Sequence, residues 1–239
     1  MQPPGRAWAL PRARVLPRAW ALLRAWAVAG PLALFGPAAL AQAERGGEPG
    51  RFDFYVLALS WSPTYCELTG GERGDEQCRP GRRLGFVVHG LWPQHERGYP
   101  TECGAYPRQP SRLDLEEAEG VFPSLGLARH EWRRHGTCTG NAPGQYFRDA
   151  RRALEQVTIP ARFTAGAGPQ RLAPIEVERA FVEANPGLRT DMMAVQCRRG
   201  LLEEVRICFE RNLRAFRTCP EVDRSGCRFG EVSLGAAPQ

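Results

Sequence analysis

The chain has 239 residues, 43% of them hydrophobic and 24% charged, with 26 Gly and 21 Pro. That composition excludes a collagen-like, wholly disordered or polytopic membrane protein, and the length suits one domain with a sizeable core. All 32 basic residues are Arg and none is Lys, so Schiff-base, P-loop-lysine and Ser–Lys chemistry are unavailable.

The formal net charge of +6 is unevenly spread. Residues 1–43 carry Arg6, Arg12, Arg14, Arg18 and Arg24 and no acid; taking those five from 32 leaves 27 Arg against 26 acids, a net charge of +1. A protein held to nucleic acid by bulk phosphate attraction would be far more basic than this.

The Arg-bearing start is followed by an apolar run from Ala25 to Leu40, broken by Pro31 and Pro37. Ala39-Leu40-Ala41 and Ala41-Gln42-Ala43 are small-x-small exits. Together they predict a secretory signal peptide over residues 1–43, cleaved after Ala41 or Ala43. Sixteen residues with two prolines fall short of the about 20 that a membrane span needs. The expectation is an exported protein, periplasmic or extracellular, with no membrane anchor. Residues 44–51 then read as a short linker, 52–228 as the single working domain and 229–239 as a C-terminal tail, frayed from Glu231.

Phe52–Trp61 (FDFYVLALSW) is aromatic and β-branched and predicts a buried strand. Cys66–Arg83 is Gly- and charge-rich and reads as a loop, and Leu84–His89 (LGFVVH) as a second strand ending at Gly90. Ser111 is a helix cap with acids following, so a helix is expected to about Gly120. Ala128–His135 predicts another helical segment, stopped by Gly136. Gln145–Val157 and Pro174–Asn185 have amphipathic helical spacing, and Thr190–Arg198, Leu202–Glu210 and Arg214–Cys219 read as strands. Helices and strands mix without regular alternation, which favours an α+β domain: a central, mainly antiparallel sheet flanked by helices.

Eight cysteines, Cys66, Cys78, Cys103, Cys138, Cys197, Cys208, Cys219 and Cys227, follow the signal. An even count in an exported chain predicts up to four disulfides, although spacing alone leaves roughly a hundred connectivities open. No Cys-x-x-Cys pair is present to seed a zinc or redox site.

Of four histidines, His89, His95, His130 and His135, three sit in suggestive surroundings. His89 closes a strand beside Gly90. In His130-Glu131-Trp132-Arg133-Arg134-His135, about 100° per residue puts His130, Arg134, Glu131 and His135 within one arc of about 140°, with Trp132 at about 200° free to pack. A zinc-protease motif needs its second His at i+4, and here it stands at i+5, so no metal is expected. Histidines with a carboxylate and an arginine suit phosphodiester transfer on RNA. One neutral imidazole takes the 2′-hydroxyl proton and a protonated one serves the leaving 5′-oxygen, while cations stabilise the phosphoryl charge. Two such imidazoles predict a bell-shaped pH profile with limbs within about two units of 6.5.

Val88-His89-Gly90-Leu91-Trp92-Pro93 and His130-Glu131-Trp132-Arg133-Arg134-His135-Gly136-Thr137-Cys138 resemble the two active-site signatures of the ribonuclease T2 family. Leu59–Cys66 (LSWSPTYC), Val205–Cys208 and Phe216–Pro220 are similar to its first and C-terminal strands, in a style closest to bacterial members. The resemblance implies a metal-independent endoribonuclease that converts single-stranded RNA to 2′,3′-cyclic phosphates and then 3′-phosphates, working as a monomer without cofactor. It implies His135 as general base, His89 as general acid, Glu131 as a catalytic carboxyl, His130 and Arg134 as phosphate ligands, and Trp92 and Tyr99 as base-stacking aromatics. Family members often carry Lys where Arg134 stands, which keeps the charge but changes reach and rigidity. The implied disulfides are Cys66–Cys78, Cys103–Cys138, Cys197–Cys227 and Cys208–Cys219, and His95 falls to the surface. A catalytically silent RNA- or protein-binding member of the same fold is the alternative. A small-ester phosphatase would need metal ligands or a covalent nucleophile, for which no arrangement is visible.

Overall fold

The computed structural model describes residues 43–105, 108–164, 168–228 and 230–235; the predicted signal peptide lies outside them except for Ala43. Within and just before the expected linker, β1 (Ala43–Arg45) pairs in parallel with β4 (Tyr99–Thr101). The main sheet is built on β2 (Phe54–Trp61), β3 (Phe86–Gln94), β6 (Met193–Arg198) and β7 (Leu201–Glu210). β7 lies between β2 and β6, and β3 pairs with the far side of β2; these ladders are all antiparallel. The short strands β5 (Gln170–Leu172) and β8 (Val232–Leu234) complete the six-stranded sheet, β8 meeting β7 in parallel. The expected α+β class with a mainly antiparallel sheet is what forms.

Period-two alternation decides the faces of the sheet. Tyr55, Leu57, Leu59 and Trp61 of β2 join Val205, Ile207 and Phe209 of β7 in the large core. That core is closed by helices α3 (Arg112–Glu116), α4 (Leu125–Arg134), α5 (Pro143–Glu155) and α6 (Pro174–Ala184), through Leu115, Trp132, Tyr146, Phe147, Val177 and Phe181 among others. Phe54 and Val56 point the other way into a small second cluster with Ala194, Cys208, Cys219 and Val222. Val222 comes from α7 (Pro220–Arg224). The functional side chains sit on this thinly covered face.

Three local expectations need correction. Much of the expected loop Cys66–Arg83 is helical turns, with α1 (Ser62–Tyr65) and α2 (Gly71–Arg73) joined by a π-turn and a 3₁₀ turn at Glu76–Cys78. Pro63 sets the entry dihedral, and the Cys66–Cys78 bridge and a Tyr65 hydroxyl bond to Asp75 hold the turns together. Residues 214–219 form no strand beyond a single bridge between Phe216 and Phe209; the segment is pinned by the Cys208–Cys219 disulfide and by Cys219 N–H on the Asp191 carbonyl. The tail from Glu231 is not frayed throughout, because Val232 and Leu234 are buried at 3% and 1% exposure and, within β8, pair with Leu172 and Gln170 of β5. The sulfurs pair as the family resemblance implied: Cys66–Cys78, Cys103–Cys138, Cys197–Cys227 and Cys208–Cys219. Among the described residues no helix is long and apolar enough to cross a membrane.

Candidate active site

β3 runs four residues beyond the expected stop at Gly90, and an irregularity lies where it matters. Gly90 pairs with Ala58 and Val88 with the next residue, Leu59, so His89 is the unpaired residue of a β-bulge. A bulge re-aims one side chain while both halves of the strand keep their core faces. Val88 and Leu91 stay in the core at 1% and 0% exposure, while the His89 side chain is 38% exposed.

The second segment is α4. Ser124 caps it by accepting from Leu127 N–H, and the helix ends at His135, whose own N–H still bonds to the Glu131 carbonyl. The arc drawn from the sequence is modified: Glu131 joins Trp132 on the buried side, at 1% and 3% exposure, and His130 is exposed with Arg134 half-buried. His135 leaves the helix (φ −124°) and is itself buried at 6%. The 3₁₀ turn Gly136–Thr139 follows, and a Cβ at Gly136 would stand 2.4 Å from Trp132, so only glycine allows this close return of the chain.

α4 and β3 meet across a cleft of about 290 Å³ lined by His89, Trp92, Gln94, Tyr99, His130, Glu131, Arg134, His135 and Arg206. All seven residues singled out in the two motifs and at Tyr99 are therefore brought together. His95 stands apart, partly buried and 3.7 Å from Asp53. Trp92 is the hub. Its Nε1–H donates to Glu131 Oε2 at 2.8 Å, its ring lies 5.2 Å from both His89 and His135, and Arg206 covers it at 5.0 Å. Tyr99 reaches His135 at 6.5 Å between ring centres. Glu131 fits because Gly90 has no side chain: a Cβ there would come 2.2 Å from Glu131 Oε2 and 2.3 Å from Trp92 Nε1.

Sequence reasoning missed Glu204 and Arg206. Glu204, 4% exposed, accepts from His89 Nδ1 at 2.8 Å, and Arg206 Nε donates to its other oxygen at 2.8 Å. The signal was present in LEEVRICFE: Val205, Ile207 and Phe209 take the core face, which puts Glu204 and Arg206 together on the opposite face of the central strand. Arg206 has room because its row across the sheet is Gly90, Ala58, Arg206 and Ala194.

Burial works against charge on His89, but the Glu204 hydrogen bond and the Glu204 and Glu131 charges outweigh it and raise its pKa above the ordinary imidazole value. His135 goes the opposite way. Burial first, then Arg134, His89, His130 and Arg206, push it down to about 3, and its Nδ1 is buried without a hydrogen-bond partner among the described residues. This carries one imidazole further than the two units expected from the sequence. Burial, Arg133, Arg134 and His89 lower His130. Burial raises Glu131 to about 7 against the pull of His89 and the Trp92 bond; Glu204, despite its burial, is held below the usual carboxylate range by His89 and Arg206. One imidazole thus favours its proton and its neighbour rejects one, which is the division of labour that acid–base catalysis requires. Among the described residues no group of three His, Cys, Asp or Glu side chains is placed to hold a metal ion.

An α+β, disulfide-braced fold with imidazoles of opposite proton bias beside arginines is that of a histidine-based nuclease. The family model described as the ribonuclease T2 family matches residues 52–219, and the chain belongs to that family. It is 35% identical over 179 residues to a ribonuclease of Aeromonas hydrophila, covering 73% of this chain and 80% of that one. RNase NT, solved in complex with 5′-AMP, superposes with a TM-score of 0.59 at 19% identity over 79% of this chain and all of its own. The SF11-RNase of Nicotiana alata gives a TM-score of 0.60 at 17% identity, over 77% of this chain and all of its own. These two likenesses are of fold. The protein is an endoribonuclease of the T2 type, and the silent-member alternative is not favoured.

Proposed function

We propose that this ribonuclease cleaves single-stranded RNA by attack of the ribose 2′-hydroxyl on its own 3′-phosphate, and then hydrolyses the cyclic product. The observation that carries the reading is the pair His89 and His135, each 5.2 Å from the Trp92 ring, with opposite proton preference. Neutral His135 takes the 2′-hydroxyl proton as the 2′-oxygen bonds to phosphorus. Protonated His89 gives its proton to the 5′-oxygen as the phosphorus–oxygen bond breaks. Water reverses the roles on the 2′,3′-cyclic phosphate, leaving a 3′-phosphate.

His130 and Arg134 hold the phosphate oxygens. Glu131, its pKa raised to about 7 by burial, sits where it can meet the charge that develops there. Trp92 and Tyr99 offer ring surface to a base, although Arg206 occupies part of the Trp92 ring. The substrate supplies the nucleophile, so no activated Ser or Cys and no metal is required, and DNA, lacking the hydroxyl, is inert. Four disulfides and the residue 1–43 leader support export to the periplasm or beyond, and the mature chain works as a monomer.

The test is digestion of single-stranded RNA by the oxidised mature chain in excess chelator, with the new ends identified by mass. Cyclic phosphates that mature to 3′-phosphates are expected. RNA left intact, or cut only after a divalent metal is added, would overturn the reading.

A further inference from the structure

The proton bias of His89 has a source outside both signature motifs. Glu204 reaches it from β7, on the opposite side of the ring from α4. The Nδ1 side of the ring faces Glu204 at 2.8 Å and the Nε2 side faces Glu131 at 3.6 Å, so the ring is suspended between two carboxylates on different elements. The two are not equivalent. Glu204 is 4% exposed and gripped by Arg206, whereas Glu131 accepts from Trp92 Nε1 and lines the cleft beside His130, Arg134 and His135.

We propose that Glu204 is the positioning residue of the catalytic acid. It engages Nδ1–H permanently, which fixes the tautomer and leaves Nε2–H as the proton that faces the cleft. Arg206 donates to the other oxygen of Glu204, which leaves the oxygen facing Nδ1 to His89 alone. This rests on the reading of His89 as the acid given above.

The charged groups facing His89 are Glu204 and Arg206 from β7 and Glu131 from α4, with His130, Arg134 and His135 next to them. Of these only Glu204 hydrogen-bonds to the ring. Glu204→Gln keeps the shape and an acceptor oxygen but removes the charge. Because His89 serves the leaving group alone in the first step, the loss must depend on what leaves. A dinucleoside phosphate, whose alkoxide needs a proton, should lose about a hundredfold in kcat/KM, at the low end of what a positioned acid contributes. A uridine 3′-aryl phosphate, whose phenolate leaves unaided, should lose at least about tenfold less. The alkaline limb of the pH profile moves to lower pH, and ¹⁵N signals of His89 in the free enzyme titrate lower with a mixed tautomer.

Arg206→Met serves as a second variant, since removing its charge should move the His89 titration up rather than down. Equal losses on both esters, or a His89 titration unmoved in Glu204→Gln, overturn the proposal. His89→Ala separates the two readings. If it shows the leaving-group dependence and Glu204→Gln does not, Glu204 is only structural and the acid assignment stands. If His89→Ala itself shows none, the acid assignment falls and this proposal with it.

Discussion

Gly90→Ala probes the closest approach in the cleft. The added methyl carbon would fall 2.2 Å from Glu131 Oε2 and 2.3 Å from Trp92 Nε1, the two atoms of the 2.8 Å hydrogen bond that crosses the glycine. Ordinary contacts of carbon begin at roughly 3.5 Å, so the carboxylate, the indole or both must retreat by about 1 Å. The strand cannot yield instead, because Gly90 is paired with Ala58 and the next residue, Leu91, is in the core. Losing a buried hydrogen bond to a carboxylate costs about 1.5–3 kcal/mol, and displacing a catalytic group by about 1 Å costs roughly a hundredfold in rate. Urea unfolding and kcat/KM on a dinucleoside phosphate measure the two losses. Gly126→Ala is the control, since a Cβ there meets nothing nearer than Ser124 Oγ at 3.8 Å. A Gly90→Ala enzyme within about threefold of wild type and about 0.5 kcal/mol of its stability would refute the geometry argued for Glu131.

Histidine ring resonances followed by NMR should separate three classes: His89 titrating above the ordinary value, His130 below it, and His135 remaining neutral until about pH 3. A His135 that titrates with a normal midpoint would contradict its burial. Glu131 has its folded pKa raised from 4.5 to about 7, so its contribution is present below pH 4.5 and lost as pH rises through 7. Glu131→Gln should therefore unfold with a free energy up to about 3 kcal/mol higher, relative to wild type, at pH 8 than at pH 4. The Cys103–Cys138 bridge closes a separation of 35 residues and should be worth about 4 kcal/mol, read as the drop in unfolding free energy of the Cys103→Ala, Cys138→Ala double variant.

The elements legible in the sequence were those whose residues obey a single period. β2 and the core face of β7 alternate, α5 and α6 keep an apolar stripe, and α4 is stopped by a glycine, although its capped first turn before Ala128 was not foreseen. What was misread lies where covalent or tertiary constraint overrides local pattern. Residues 214–219 have strand composition but are tethered by Cys208–Cys219 beyond Leu213, whose φ of +57° turns the chain away. Val232-Ser233-Leu234 does alternate, and only its place near the end of the chain concealed it. The site divides the same way. Residues in contiguous motifs, His89, Trp92, His130, Glu131, Arg134 and His135, could be read from the chain. Glu204 is 115 residues from its partner His89, and nothing local distinguishes it from a surface glutamate except its position on a strand with neighbours on both sides.

The bulge at His89 has a consequence for how this activity could be gained or lost. Leu59 and Ala58 are consecutive on β2, and their partners Val88 and Gly90 would be consecutive on β3 were residue 89 missing. A chain shortened by that one codon would meet β2 in an unbroken ladder, with Val88 and Leu91 still inside. The histidine is an insertion into the sheet and not a member of it. A single in-frame deletion would thus take His89 out of the cleft without breaking any ladder pair, while the groups that α4 and β7 supply to the cleft stay in place.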